Sequence, residues 1–381
     1  MIKGEMYTNY TANEIAAQPK LWRDLYAIVY SRQCELTTFL NKALFYEDLK
    51  ILLVGAGTSS YIGEVLEKYV QVKLNRTTEA VATTDLISHP HNFFNKKNQP
   101  TLIISFARSG DSPESVATMD LATANCKNWF HLIITCNPDG ELTRNAKSKN
   151  SFVLLMPKEA NDKGLAMTGS FTTMLLAGLL IADLKNLKES KEYVNQLEEY
   201  GRTILTKYDE RIKTIARLDF KRAVFLGSGP LKGIARESQL KVQELSDGKI
   251  ICKYDSFLGL RHGPKAVIDD KTIVIYLFSR DNFVNQYEYD LVRSINTQKH
   301  KMYELGIGET NKSKNEITLD LSIEVATENK IPEEYFAVCA VLPGQLLGLY
   351  KSINLGLSPD SPSINKSINR VVQGVKIYKR E

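Results

Sequence analysis

Cysteine is scarce in this sequence, and its few cysteines are not arranged as a site. Cys34, Cys126, Cys136, Cys252 and Cys339 stand singly among 381 residues, and no two of them form a C-x-x-C pair. An odd number of scattered cysteines without zinc spacing is typical of reduced, buried thiols rather than of a disulfide framework. We therefore expect a cytoplasmic protein that holds no metal.

Long apolar runs and blocks of like charge are also missing. Residues 1–6 lack the apolar core of a signal peptide, and the strongest apolar run, 174–182, is too short to cross about 30 Å of hydrocarbon. The 49 basic and 44 acidic side chains leave a net charge of +5, without a basic cluster interleaved with aromatic residues. We therefore expect no signal peptide, no membrane span and no nucleic-acid partner.

What is present is one pattern that occurs twice. An apolar strand, a Gly-x-Gly turn and a helix follow one another, and the first glycine of the turn is Gly55 in one copy and Gly227 in the other, 172 positions later. The next apolar strands begin at Thr101 and Thr272, which are 171 positions apart. Because this offset stays almost constant over two strands and a helix, we infer two homologous domains.

Apolar strands alternate with helical stretches in both halves, and this alternation predicts an α/β fold. Continuous apolar strands indicate parallel sheets covered by helices on both faces, a flavodoxin-like arrangement of three layers in each domain. The predicted domains are an N-terminal helical segment over 1–48 with a break at Pro19, a first domain over 49–187, a connecting helix over 188–219 and a second domain with a C-terminal tail over 220–381.

The strand predictions follow the apolar runs. In the first domain they are 51–54, 101–106, 131–136 and 152–155, and in the second they are 223–226, 250–253, 272–278 and 317–321.

Neither glycine turn completes the dinucleotide-binding fingerprint G-x-G-x-x-G. Ser60 stands at the third glycine position of the first turn, and Gly233 comes one residue too late in the second. A Rossmann cofactor site is therefore disfavoured, and we expect no cofactor. What remains is a turn followed by the amides of a helix start, which suits an anion such as phosphate.

Hydroxyl groups and one arginine collect after the strands of the first domain. Such side chains, together with amides at the carboxyl ends of parallel strands, hold a phosphate without a metal ion. The alternative is that each serine only caps a helix. The candidate phosphate-binding and substrate-binding residues are Ser59, Ser60, Arg108, Ser109, Ser112 and Thr168.

In the second domain, charged side chains share one face of the helix predicted over 231–246. Glu237, Lys241 and Glu244 lie within about 60° of one another at helical spacing. An exposed face of salt bridges gives the same pattern. His262 follows in a glycine-bounded loop, where a histidine is either structural or catalytic.

Together these motifs resemble the two-domain sugar isomerase (SIS) family, which includes the isomerase half of glucosamine-6-phosphate synthase. The likeness extends from residue 50 to the end of the chain, and the motifs of both domains occur in the family's order. Residues 165–168, 258–262 and 368–375 resemble the galactosamine-6-phosphate deaminase/isomerase branch, formerly called tagatose-6-phosphate ketose/aldose isomerase.

The resemblance implies a role for each matching residue. Glu244 matches the carboxylate that moves a proton between C1 and C2 of the open-chain sugar, and His262 matches the group that assists ring opening. From its position one helical turn from Glu244, we expect Lys241 to tune that carboxylate. In the family the histidine loop reaches a neighbouring subunit's site, which implies a homodimer or larger homo-oligomer with shared sites. The remaining matches are phosphate-binding positions at Ser59, Ser109 and Ser112, with Thr168 beside a substrate-binding one.

Two positions depart from the synthase pattern. At the first, Ala107 and Arg108 replace the serine and the glutamine of the synthase, and we expect Arg108 to supply a charged phosphate contact. The tail offers Lys366, which does not align with the functional lysine of the synthase, so no role is assigned to it.

The function implied by the resemblance is the conversion of galactosamine 6-phosphate and water to tagatose 6-phosphate and ammonia, with no metal or redox cofactor. The first 50 residues show no N-terminal cysteine nucleophile, and we expect no glutaminase domain. We therefore expect ammonia release rather than glutamine-driven synthesis. Two alternatives stay open: an aldose–ketose isomerase acting on a hexose phosphate, and a non-catalytic sugar-phosphate sensor.

Overall fold

The strands form two separate parallel sheets. The computed structural model describes residues 8–94, 96, 98–297, 301–309, 317–325, 331–372 and 374–378. Within them the strands are β1 Lys50–Gly55, β2 Thr77–Ala82, β3 Thr101–Ala107, β4 Trp129–Thr135, β5 Ser151–Leu155, β6 Arg222–Gly227, β7 Ile251–Asp255, β8 Thr272–Leu277, β9 Tyr303–Gly308 and β10 Leu321–Glu324.

Helices connect these strands and flank the sheets. In the same part of the chain they are α1 Tyr10–Ser31, α2 Gln33–Leu44, α3 Thr58–Leu74, α4 Thr83–Ser88, α5 Pro90–Phe93, α6 Pro113–Asn125, α7 Glu141–Asn145, α8 Gly169–Ala182, α9 Leu187–Thr203, α10 Asp209–Ala216, α11 Pro230–Leu245, α12 Phe257–Leu260, α13 Asn282–Asn296, α14 Glu333–Ala340 and α15 Leu342–Asn354. A π-helical turn, Ile204–Tyr208, joins α9 to α10.

The chain divides into two compact units, each built on one sheet. The first unit, with β1 to β5, consists of Lys20–Lys163, Met167–Val194 and the residues from Ile368 on. The second unit, with β6 to β10, consists of the residues up to Pro19, Gly164–Ala166 and Asn195–Ser367.

Both sheets have the same strand order. The first sheet is ordered β2-β1-β3-β4-β5, and the second, starting from its other edge, is ordered β7-β6-β8-β9-β10. All neighbouring strands are parallel. In each sheet the second strand lies outside the first, and the later strands are added on the other side, which is the flavodoxin-like order. The predicted α/β fold with two parallel sheets is confirmed.

Helices cover both faces of the first sheet because successive side chains of a strand point to opposite sides. Leu52 packs with Leu86 of α4 on one face, whereas Leu53 lies with Leu66 of α3 and Gly178 of α8 on the other. A Cβ at Gly178 would come within 2.3 Å of Leu66 Cδ1, so this glycine allows α3 and α8 to approach closely. With both faces covered, polar loops are left to the carboxyl ends of the strands.

The predicted break at Pro19 is wrong, because α1 continues through this residue. A proline in a helix leaves the carbonyl four residues earlier without its amide donor. Here the side chain of Gln18 replaces that donor, and its Nε2 lies 3.3 Å from the carbonyl oxygen of Ile15. The substitute hydrogen bond explains why the helix is not interrupted.

One apolar helical stretch is long enough to cross a membrane. Among the described residues, Glu333–Asn354 passes this test of length and hydropathy, and 94% of its most apolar window is buried inside the protein. It comprises α14 and α15, and α15 packs on α11 within the second unit. Such burial is typical of a core helix.

Candidate functional site

The glycine turn after β1 has two positions that only glycine fits. A Cβ at Gly55 would lie 2.5 Å from the carbonyl carbon of Ser59. Gly57 has φ 55° and ψ −129°, a backbone conformation that disfavours every other residue type. The turn leads directly into α3, whose first turn contains no acidic residue and receives no hydrogen bond from a capping side chain. The positive end of the α3 dipole is therefore left without a carboxylate of its own, which suits an anion.

The serines in these loops do not act as helix caps. The hydroxyl of Ser60 donates to the carbonyl oxygen of Gly57 at 2.7 Å. That of Ser112 donates to Ser115 Oγ at 2.6 Å, and Ser112 makes no side-chain capping bond to α6. The hydroxyl of Ser59 is 3.7 Å from the sulfur of Met167. The capping alternative therefore does not hold for Ser59, Ser60 or Ser112, and their role in phosphate binding stays a prediction.

The loop after β3 is held by the neighbouring loop after β4. Asn137 Nδ2 donates to the carbonyl oxygen of Ser109 at 2.8 Å. The hydroxyl of Ser109 accepts a hydrogen bond from the amide of Asp111 at 3.2 Å. A Cβ at Gly140 would lie 2.4 Å from the carbonyl oxygen of Ser109, so the two loops touch at their backbones. Because β1 and β3 are parallel neighbours, the start of α3 with Ser59 and the loop with Ser109 both follow the carboxyl ends of adjacent strands.

Arg108 lies almost fully buried in the same loop cluster. Its Nη2 donates to the carbonyl oxygen of Arg370 at 2.6 Å, and it is 7% exposed. In the guanidinium of Arg370, Nε donates to the carbonyl oxygen of Asp162 and Nη2 donates to Asn161 Oδ1, both at 2.9 Å. Two guanidinium groups thus belong to this corner of the first unit, and Arg370 escaped the sequence analysis although it lies in the tail motif.

Thr168 is buried, and its donors already have a partner. Its amide and its hydroxyl both donate to the carboxylate of Asp162 at 2.9 Å. The amides of Gly169 and Ser170 donate to the same carboxylate at 3.0 Å, and the hydroxyl of Ser170 donates to it at 2.5 Å. Asp162 therefore caps α8 and fixes the loop before it. The role of Thr168 in substrate binding stays a prediction, because its amide and its hydroxyl both donate to Asp162.

In the second unit, α11 places a lysine between two carboxylates. Lys241 Nζ lies 2.7 Å from Glu244 Oε2 and 3.3 Å from Glu237 Oε1. The side chains of Lys241 and Glu237 are 1% and 0% exposed, whereas that of Glu244 is 24% exposed. The alternative of an exposed salt-bridge face is therefore wrong. Within this cluster Glu244 is the member whose side chain reaches solvent, and it is the one that a ligand can meet.

The two carboxylates determine the charge of the buried lysine. Burial alone lowers the pKa of Lys241, but the negative charges of Glu237 and Glu244, together with their hydrogen bonds, raise it above its usual value. Lys241 is thus held in the protonated form at neutral pH.

The helix α15 packs against this part of α11 through glycines. A Cβ at Gly344 would lie 2.6 Å from Ser238 Cβ, and a Cβ at Gly348 would lie 2.9 Å from the carbonyl oxygen of Lys241. Because the two helices approach so closely, water is kept away from the lysine and from Glu237. This contact positions the three charged side chains.

His262 lies in an exposed loop after α12. The hydroxyl of Ser256 caps α12 by accepting from the amide of Gly259 at 3.0 Å, and Gly263 has φ 118°. In the part of the chain that the structure describes, no hydrogen bond or ion pair links the side chains of His262 and Glu244. The sequence places both residues in one reaction, and their cooperation stays a prediction.

Comparison with known proteins places the chain in a family. Residues 44–183 match the model of the SIS domain. The D-galactosamine-6-phosphate deaminase AgaS of Shewanella sp. (strain ANA-3) is 38% identical over 387 residues, which cover 99% of this chain and 95% of that protein. The chain belongs to the SIS family.

Two solved structures are similar over almost the whole chain. One from Clostridium novyi NT has a TM-score of 0.93 and 42% identity, covering 97% of this chain and 95% of that one. The tagatose-6-phosphate ketose/aldose isomerase of Escherichia coli has a TM-score of 0.89 and 34% identity, covering 98% and 97%. The family membership predicted from the motifs is confirmed.

Proposed function

We propose that this SIS-family protein is an amino sugar phosphate deaminase that converts galactosamine 6-phosphate and water to tagatose 6-phosphate and ammonia. A relative that shares 38% of its residues over nearly the full length is named for this deaminase activity. The observation that carries the proposal is the pair of Lys241 and Glu244, 2.7 Å apart, in which only the side chain of Glu244 is partly exposed. A carboxylate in such a position is suited to general base catalysis on a carbon acid.

The proposed reaction moves one proton and releases one amine. His262 assists opening of the sugar ring, Glu244 takes the proton from C2 of the open-chain amino aldehyde, and the same carboxyl group returns it at C1. The resulting ketimine at C2 adds water and expels ammonia, which leaves the ketone. The residues Ser59, Ser60, Arg108, Ser109 and Ser112 are proposed to hold the phosphate, which orients the sugar for these steps.

A direct assay of the purified protein tests this function. Galactosamine 6-phosphate should yield ammonia and tagatose 6-phosphate in equal amounts. Glucosamine 6-phosphate, which differs only at C4, should be turned over more slowly, and this comparison tests the preference for the galacto configuration. Absence of ammonia from both amino sugars would reject the deaminase function.

The alternative function is aldose–ketose isomerisation of a hexose phosphate. The Escherichia coli structure, 34% identical, is named for isomerisation of tagatose 6-phosphate. The two reactions share the proton transfer between C1 and C2, so the same residues serve both. Interconversion of galactose 6-phosphate and tagatose 6-phosphate, without ammonia release from galactosamine 6-phosphate, would favour the isomerase.

We further propose that the protein acts in the cytoplasm as a homo-oligomer with shared sites. His262 is exposed in its loop and is not bonded to Glu244, which fits a histidine that serves a neighbouring subunit. Inactive Glu244→Gln and His262→Ala proteins would be mixed in equal amounts under conditions in which subunits exchange. About half of the dimers are then heterodimers, and one of the two sites in each heterodimer has both residues intact, so about a quarter of the activity should return. Sites within one chain would give no recovery after the same exchange.

A further inference from the structure

The second unit contains the same glycine turn as the first. Gly229 has φ 52° and ψ −130°, and Gly57 has φ 55° and ψ −129°. In both units the turn links the first strand of the sheet to a helix, and the strand next to it leads into a second loop at the same edge. The second unit thus has the backbone of an anion cradle, which is here defined as the turn 227–229 with the loop 279–281.

The donors of the first turn are not repeated in the second. At the offset of the repeat, Pro230 takes the place of Thr58, and Leu231 takes the place of Ser59. Proline has no amide hydrogen, and leucine has no hydroxyl group. The second turn therefore lacks the amide and the hydroxyl that the first turn has at these two positions. Its own hydroxyl, that of Ser228, is hydrogen-bonded to Glu288, and further donors remain in the loop 279–281.

Those remaining donors are occupied by a carboxylate of the chain itself. Glu333 Oε2 accepts hydrogen bonds from the hydroxyl of Ser279 at 2.5 Å and from the amide of Arg280 at 2.8 Å. Its other oxygen, Oε1, is 3.8 Å from the point where a Cβ of Gly229 would lie. One carboxylate thus binds the loop through Oε2 and faces the glycine turn with Oε1.

A second carboxyl group fills the inner side of the cradle. Glu288 is fully buried, and its Oε2 accepts from the amide of Ser279 and from Asn285 Nδ2, both at 3.0 Å. The helix α13 that follows the loop is capped by Asp281, whose Oδ1 accepts from the amide of Phe283 at 2.8 Å. The loop's donors are therefore satisfied within the second unit, and α13 has a side-chain cap that α6 of the first unit lacks. The helices after the two glycine turns, α3 and α11, both have no side-chain cap.

We propose that the carboxylate of Glu333 occupies the second cradle in place of a phosphate group and so prevents anions from binding there. An anion should bind in this cradle only when the carboxylate is removed. The side chain of Glu333 is only partly buried, so its truncation opens the cradle to solvent. The proposal concerns the second unit alone and does not depend on which sugar the protein converts.

Selenate, a tetrahedral dianion with a strong anomalous signal, tests this proposal. Crystals of the wild type, of Glu333→Ala and of Glu334→Ala would be soaked in selenate. The neighbouring Glu334 is the matched control, because its truncation changes the net charge equally. We expect an anomalous peak between Ser279 and Gly229 in Glu333→Ala only. A peak there in the wild type or in Glu334→Ala, or none in folded Glu333→Ala, would overturn the proposal.

A refolding experiment tests the proposal if Glu333→Ala does not fold in ordinary buffer. The variant would then be refolded in sulfate and in chloride of equal ionic strength. Recovery of the folded state in sulfate alone supports the proposal, since an added anion then replaces the missing carboxylate. Equal recovery in both salts, or in neither, contradicts it.

Discussion

Replacement of Lys241 by methionine removes the positive charge that lies between two carboxylates. Methionine has a similar length and fits the buried path of the lysine stem. The change leaves Glu237, which is 0% exposed, without the cation that lies 3.3 Å from it. We expect the free energy of unfolding to fall steeply at neutral pH.

The size of the loss follows from what Glu237 can do once the charge of Lys241 is gone. At an effective dielectric constant of about 20, a pair of unit charges about 3 Å apart gains on the order of 5 kcal/mol. The loss is limited, however, because Glu237 can take up a proton and become neutral. From an ordinary pKa of about 4.3, at about 1.36 kcal/mol per pH unit, protonation costs about 4 kcal/mol at pH 7.5 and about 1 kcal/mol at pH 5. We therefore expect a loss of about 3–4 kcal/mol at pH 7.5, in the range for broken buried ion pairs.

Urea unfolding of the wild type and of Lys241→Met at both pH values measures this loss. The double variant Glu237→Gln/Lys241→Met should return to within about 1 kcal/mol of the wild type, because it removes the buried charge together with its partner. A loss below about 1 kcal/mol at pH 7.5, or the same loss at both pH values, would refute the account of a buried, carboxylate-neutralised lysine.

Three further predictions concern other parts of the molecule. Burial raises the pKa of Glu288 to about 7; because the folded state then binds the proton more tightly than the unfolded state, stability is lost as pH rises from about 4.5 to 7, by up to about 3 kcal/mol. Glu288→Gln should remove this slope in urea unfolding between pH 5 and pH 8, and an unchanged slope would show that Glu288 is not its source. Asp162→Ala should lower the free energy of unfolding by at least about 2 kcal/mol, since a helix cap and several buried hydrogen bonds are lost together; urea titration checks this, and a loss under about 1 kcal/mol would contradict the capping role. Arg108→Ala should raise KM for the sugar phosphate about 10–100-fold with a much smaller change in kcat, as expected for loss of a charge-assisted hydrogen bond; an unchanged KM would exclude Arg108 from phosphate binding.

The sequence revealed the central strands better than the edge strands. β3 and β8 lie inside their sheets and are continuous apolar runs, so their position was predicted to within one or two residues. β2 is an edge strand with only two of its six positions buried, and its polar residues hide it. β9 was missed although it lies inside its sheet, since it contains Glu304, whose buried carboxylate accepts a hydrogen bond from Tyr276 at 2.7 Å.

The candidate site was visible in part for a similar reason. The spacing of Glu237, Lys241 and Glu244 is local, so helical periodicity predicts their shared face, but only tertiary packing against α15 shows that this face is buried. Asp162 caps a helix that begins seven residues later, and no local capping pattern includes that separation. The self-occupied cradle of the second unit brings together Ser279 and Glu333, 54 positions apart. Sequence spacing gives no signal for such a contact.

The role of Glu244 is tested most directly by measuring ammonia release from galactosamine 6-phosphate by the wild type and by Glu244→Gln. We expect kcat to fall by at least about 100-fold, since positioned proton transfer contributes about 10²–10⁴-fold. Sugar-phosphate binding, and the stability provided by the remaining pair of Lys241 and Glu237, should be retained. Ammonia release by Glu244→Gln at a rate close to that of the wild type would contradict the assignment of Glu244 as the proton carrier.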